Sequence, residues 1–83
     1  MNGTDHPRDI EEVMRFDPEE AIIDLETHLQ RLTQAAEAQG YKFDRHGARN
    51  EIQAATFGRR SPGRVRLVLS PTGAMAIEVR ALH

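Results

Sequence analysis

Two alternating apolar runs joined by one turn limit what this chain can fold into. Residues 64–70 (RVRLVLS) and 74–82 (AMAIEVRAL) alternate apolar with polar side chains, the period-two pattern of half-buried strands. Between them Ser70-Pro71-Thr72-Gly73 suits a three-residue hairpin loop: a type I turn with proline at its first corner, then glycine in the left-handed position. That loop sets Ser70 opposite Ala74. Counting back places Leu69 beside Met75, Leu67 beside Ile77 and Val65 beside Val79, so all six share one side. A two-residue loop would set Arg66 opposite Ile77 and mix the faces, because a slip of one residue turns every side chain over. The other side reads Val68 with Ala76, Arg66 with Glu78 and Arg64 with Arg80. Arg66–Glu78 is a favourable cross-strand pair worth ~0.2–1 kcal/mol. Arg64 and Arg80 repel unless a third group neutralises them: an acid of this chain, a partner carboxylate or a phosphate.

A hairpin with one apolar face needs a second layer. Asp17-Pro18-Glu19-Glu20 reads as a helix start, with an N-cap, proline at the first helical position and acids in the first turn. The predicted helix runs to Gln39, with Gly40 as its left-handed stop. Its apolar stripe is Ile22, Leu25, Leu29, Leu32 and Ala36, which docks on the chain's own sheet or forms a helix-pair seam with a partner. Residues 1–8 read as a disordered arm and residues 9–16 (DIEEVMRF) as one or two helical turns capped by Asp9. A short strand is expected at Tyr41–Asp44, a turn at His46-Gly47, a strand over 50–57 and a loop over 58–63. The fold class is therefore α+β: a single domain over residues 9–83, with one long amphipathic helix on a three- or four-stranded antiparallel sheet, in the order α-β-β-β.

With 83 residues and four aromatic side chains (Phe16, Tyr41, Phe43 and Phe57), the core is small. A homo-oligomer would add burial that one chain lacks. No cysteine is present, so disulfides and thiolate metal sites are excluded, and no cofactor or metal is expected. The apolar runs are far too short to span a membrane, and MNGTDHPRD lacks the basic and apolar regions of a signal peptide; a cytoplasmic protein is expected. Arginine outnumbers lysine ten to one, which points to GC-rich coding and a bacterial or phage source.

Charge is divided along the chain. Residues 1–40 hold ten acids and three bases; residues 41–83 hold three acids and eight bases. The bases Arg45, Arg49, Arg59, Arg60, Arg64 and Arg80 form a candidate site for phosphate or a partner's carboxylates, since guanidinium forks match both. Candidate residues for association are Ile22, Leu25, Leu29, Leu32, Val68 and Ala76. Asp24 and His28, four apart on the expected helix, form a surface pair. His46 between Arg45 and Arg49 has the makings of a general base beside phosphate-binding groups, but no nucleophile with a positioned base completes a catalytic site.

The sequence thus favours a small non-enzymatic interaction module, regulatory or inhibitory, which binds another protein through complementary charge. A second reading is a nucleic-acid-binding protein using the arginine hairpin. A third is a small ribonuclease. The expected order of elements is similar to that of small toxin ribonucleases, but their glycine-serine-histidine motif is here Arg45-His46-Gly47-Ala48, so no role is carried over.

Overall fold

The computed structural model describes residues 8–82. Apart from Arg8, the arm expected over residues 1–8 lies outside that range. Four strands, β1 (Ile10–Asp17), β2 (Ala21–Ile22), β3 (Gly63–Leu69) and β4 (Met75–Ala81), form one antiparallel sheet in the order β2-β1-β3-β4. Two helices, α1 (Leu25–Gln39) and α2 (Arg45–Thr56), pack on one side of it. The fold is α+β, as expected, but with two helices and the order β-β-α-α-β-β.

The β3–β4 hairpin has the register derived from its turn. Leu69 pairs with Met75, Leu67 with Ile77, Val65 with Val79, Arg66 with Glu78 and Arg64 with Arg80. The Ser70 N–H donates to Ala74 O, the Gly73 N–H donates to Ser70 O, and Gly73 takes a left-handed φ of 95°. Gly40 likewise ends α1 at φ 75°. The Tyr41 N–H donates to Ala36 O and the Gly40 N–H to Glu37 O, which satisfies carbonyls at the helix end.

Residues 9–16 are not helical turns. They form β1, which pairs with β3 from Ile10↔Leu69 to Phe16↔Gly63. Ile10 and Met14 lie four apart, a spacing that suits either period. The inward alternation of positions 10, 12, 14 and 16 is interrupted by the carboxylate at Glu12.

The Asp17 cap also forms, but on a turn. Asp17 Oδ2 accepts from the N–H groups of Glu19 (2.9 Å) and Glu20 (3.0 Å). The chain then reverses through Ala21 at φ 64° and pairs Ile22 with Phe16. Ile22 is only 8% exposed, so its burial competes with continuing the helix, and α1 begins at Leu25 instead.

The expected strands at 41–44 and 50–57 are replaced by an extended link and by α2, and His46-Gly47 lies in the first turn of that helix. Asp44 caps α2 by accepting from the Gly47 N–H at 2.9 Å. Ala48, Ile52 and Thr56, at helical spacing of four, are its buried residues.

The core lies between the helices and the inner sheet face: Met14, Phe16, Val65, Leu67 and Leu69 against Leu29, Leu32, Ala36, Ala48 and Ile52. The stripe considered for association therefore closes the chain's own core. Leu29 and Leu32 have no exposed surface, Ile22 is buried in β2, and Leu25 packs on the cluster. Among the described residues no helix is long and apolar enough to cross a membrane.

Candidate functional site

Alternation puts the side chains at positions 11, 13 and 15 of β1, 64, 66 and 68 of β3, and 76, 78 and 80 of β4 on the sheet face away from the helices. The pairing aligns them in rows. Arg15 pairs with Arg64, which pairs with Arg80, so three arginines stand side by side across three strands. The next row is Val13, Arg66 and Glu78, and the next is Glu11, Val68 and Ala76.

Like charges directly opposite in a sheet destabilise it. The repulsion is relieved unevenly here. Arg80 Nε lies 3.3 Å from Glu78 Oε1 on its own strand, and Arg66 Nε donates to Glu11 Oε2 at 2.6 Å. The expected Arg66–Glu78 ion pair is thus replaced by these two, although the register is right. Among the described residues, no carboxylate lies within 4 Å of a nitrogen of Arg15 or Arg64.

Two clefts open on this row. One, of about 350 Å³, is lined by Val13, Arg64, Arg66, Glu78 and Arg80. The other, of about 200 Å³, is lined by Val13, Met14, Arg15, Arg64 and Leu82. Both share Val13, which is 44% exposed, and Arg64. An apolar floor beside uncompensated guanidinium groups suits a small organic anion: the forks can bind a carboxylate or phosphate, and the valine can contact a carbon skeleton.

The six arginines singled out from the sequence fall in three places. Arg64 and Arg80 are in the row. Arg45 and Arg49 are on α2 and clamp Glu26 of α1 at 2.9 and 2.8 Å. Hydrogen bonds from Arg49 and then Arg45 hold the Glu26 carboxyl below the usual carboxylate range. Arg59 and Arg60 are exposed in the loop before β3, next to Phe57, which is 88% exposed. Of the association residues, Val68 and Ala76 lie on the outer face, half-buried and exposed respectively.

The His28 side chain does not pair with that of Asp24, although the His28 backbone N–H donates to Asp24 O at 3.1 Å. Its Nδ1 lies 2.5 Å from Glu12 Oε2, beneath the sheet, with Arg31 Nη1 3.6 Å from the same oxygen. His46 Nδ1 is 3.5 Å from Arg49. Arg15 and Val13 were missed by sequence reasoning. The signal was Met14 and Phe16 alternating with Val13, Arg15 and Asp17, and it was outweighed by the helical spacing of Ile10, Val13 and Met14.

No protein-family model and no curated protein matches this chain. Among solved structures, it is similar to a Mesorhizobium loti protein provisionally named as an amino-acid aminotransferase. The TM-score is 0.83 and the identity 25%, over 90% of this chain and 36% of that one. The chain thus spans about a third of the length of the structure it matches. This likeness overturns the expectation of a partner-binding interaction module, along with its nucleic-acid and ribonuclease alternatives, in favour of an enzyme-related fold. The likeness is to part of that protein only.

Proposed function

We propose that this chain is a domain of aminotransferase type, and that its arginine row recognises the carboxylate of an amino acid or 2-oxo acid. The observation that carries this reading is the 0.83 likeness over nine-tenths of the chain. The row supports it chemically, because Arg15 and Arg64 offer planar donor forks that no carboxylate of the described residues occupies.

Aminotransfer ordinarily uses pyridoxal phosphate held as a Schiff base on a lysine amine. The residues of this chain do not fit that role. Lys42 is its one lysine. Its Cβ and carbonyl oxygen pack against the hairpin turn, each 3.2 Å from where a Cβ on Gly73 would sit. That turn is at the far end of β3 from Arg64, roughly 20 Å along the strand. No catalytic step is therefore assigned to these residues. Their part is to bind and orient an acid.

The test is NMR of the arginine side-chain Nε–H groups during titration with 2-oxoglutarate and with glutamate. Saturable shifts at Arg15 and Arg64, lost in Arg64→Gln, are expected. Shifts matched by equal ionic strength of sodium chloride, or none, would overturn the reading. With added pyridoxal phosphate this chain alone should show no aminotransfer; turnover abolished by Lys42→Ala would show that the lysine had been misjudged.

A further inference from the structure

The sheet has an open side at β4. On β3, Val65, Leu67 and Leu69 have no exposed surface, whereas Met75, Ile77 and Val79, their partners on β4, are each half-buried. Among the described residues, no further strand pairs with β4. Native edges are commonly blunted by proline, charged side chains (lysine above all), a bulge, brevity or a covering helix, and of these β4 carries only the opposite charges of Glu78 and Arg80 along its outer face. Residues 75–81 contain neither proline nor lysine, their pairing with β3 has no bulge, and the strand is seven residues long.

The backbone phase of this edge follows from the hairpin. The Ser70 N–H donates to Ala74 O, and the Leu82 N–H donates to Pro62 O. In an antiparallel ladder hydrogen-bonded pairs alternate with non-bonded ones. Ala76, Glu78 and Arg80 therefore bond towards β3, while Met75, Ile77, Val79 and Ala81 turn their N–H and C=O groups to the open side.

We propose that a second copy of this chain pairs with β4 through this edge, antiparallel and about a two-fold axis at Val79. A two-fold axis permits only self-complementary registers, and charge selects among them. An axis at Glu78 sets the two copies of that carboxylate against each other. An axis at Ile77 sets Glu78 opposite Ala76 and leaves Arg80 without a charged neighbour across the junction. An axis at Val79 sets Glu78 opposite the second copy's Arg80, and Arg80 opposite the second copy's Glu78, a favourable pairing made twice. The same register makes Val79 a hydrogen-bonded pair with its own copy, and Ile77 a hydrogen-bonded pair with the second copy's Ala81. Those are residues whose backbone groups already point outward. The result is a continuous sheet, β2-β1-β3-β4 joined to its reverse.

The phase of the ladder admits this register, and the order of charges selects it from the symmetric alternatives that the phase also admits. The junction also borders the arginine row. Arg80 lines the larger cleft, so the second copy's Glu78 stands at its rim and supplies a carboxylate to the most crowded cationic row of the sheet. The pairing does not depend on the chemistry proposed for the row.

Sedimentation velocity over a concentration series tests this. The unaltered chain should pass from monomer to dimer as concentration rises. Glu78→Arg and Arg80→Glu should each weaken the dimer by at least about tenfold, because each sets like charges against each other twice. An equimolar mixture of these two variants should regain the dimer, since every junction pair is then opposite in charge; regain also shows that both are folded. Val79→Pro removes an outward N–H and no bond to β3, so it should abolish the dimer while leaving the circular dichroism spectrum unchanged. A chain that stays monomeric throughout, variants that dimerise as the unaltered chain does, or a mixture that fails to recover would each overturn the proposal.

Discussion

On the inner face of the sheet, one carboxylate, Glu12, has two nitrogen-bearing neighbours, the His28 imidazole and the Arg31 guanidinium. On the outer face two cations, Arg15 and Arg64, have no anionic neighbour among the described residues. The same strands build both faces, so composition does not explain the difference. Burial does. A charge beneath the helices is desolvated, and leaving it unpaired would cost far more than at the surface. On the open face water screens the guanidinium groups, and an unneutralised row is tolerable at a cost of a few tenths of a kcal/mol per neighbour. The inner face is thus constrained by folding, and the outer face is free of that constraint.

The strongest way to break that comparison is to truncate adjacent residues of β3. Leu67→Ala, on the inner face with no exposed surface, should cost about 2–5 kcal/mol. Val68→Ala, on the outer face, should cost less than about 1 kcal/mol. Urea midpoints of the two variants measure this, and equal losses would mean that both faces are covered in solution.

A smaller effect, with the opposite sign, is expected from the row. Arg64→Ala should leave stability unchanged or raise it by about 0.2–1 kcal/mol, most clearly at low salt, because it removes two like-charge contacts. A thermal midpoint that falls in low salt would show that Arg64 is held by an anion.

The smallest effect sharpens the contrast between paired and unpaired arginines. Glu26 lies between Arg45 and Arg49, and its carboxyl is held below its ordinary value. Its contribution is therefore present above the unfolded carboxylate range and lost as pH falls through the lower folded value. The unaltered chain should be slightly more stable than Glu26→Gln at neutral pH, and the gap should close in acid below the usual carboxylate range. Thermal midpoints of both proteins across acid pH check this; a gap that is constant with pH would assign the effect to packing.

Much of the fold was legible where one local cause acted alone. Gly73 needed a left-handed position, Pro71 a first corner and the flanking residues a common face; these requirements agreed, and every pairing of the hairpin followed. Gly40 ended α1 for a similarly local reason. Legibility failed where two periods overlapped. Ile10 and Met14 satisfy a helix and a strand alike, and Glu12 hid the alternation because its inward place makes sense only with His28 opposite it, sixteen residues away. Ala48, Ile52 and Thr56 did carry a helical spacing behind the Asp44 cap, but the expected strand over 50–57 cut across it. Reading β1 as helix also removed Arg15, so the arginine row was seen as a pair.

By itself the sequence determined the α+β class, the hairpin register, the stop at Gly40 and the side-by-side placement of Arg64 and Arg80. Each depends on bonded neighbours or on a turn of fixed length, so short-range geometry was sufficient. Only the tertiary structure decided that the capped turn at Asp17 leads into β2 rather than a helix, that Glu26 takes up Arg45 and Arg49, and that Arg15 completes a row with Arg64 and Arg80. These outcomes depend on which distant residues compete for the same burial or the same charge. That competition is resolved only when β1 lies beside β3, an arrangement that joins residues more than forty positions apart.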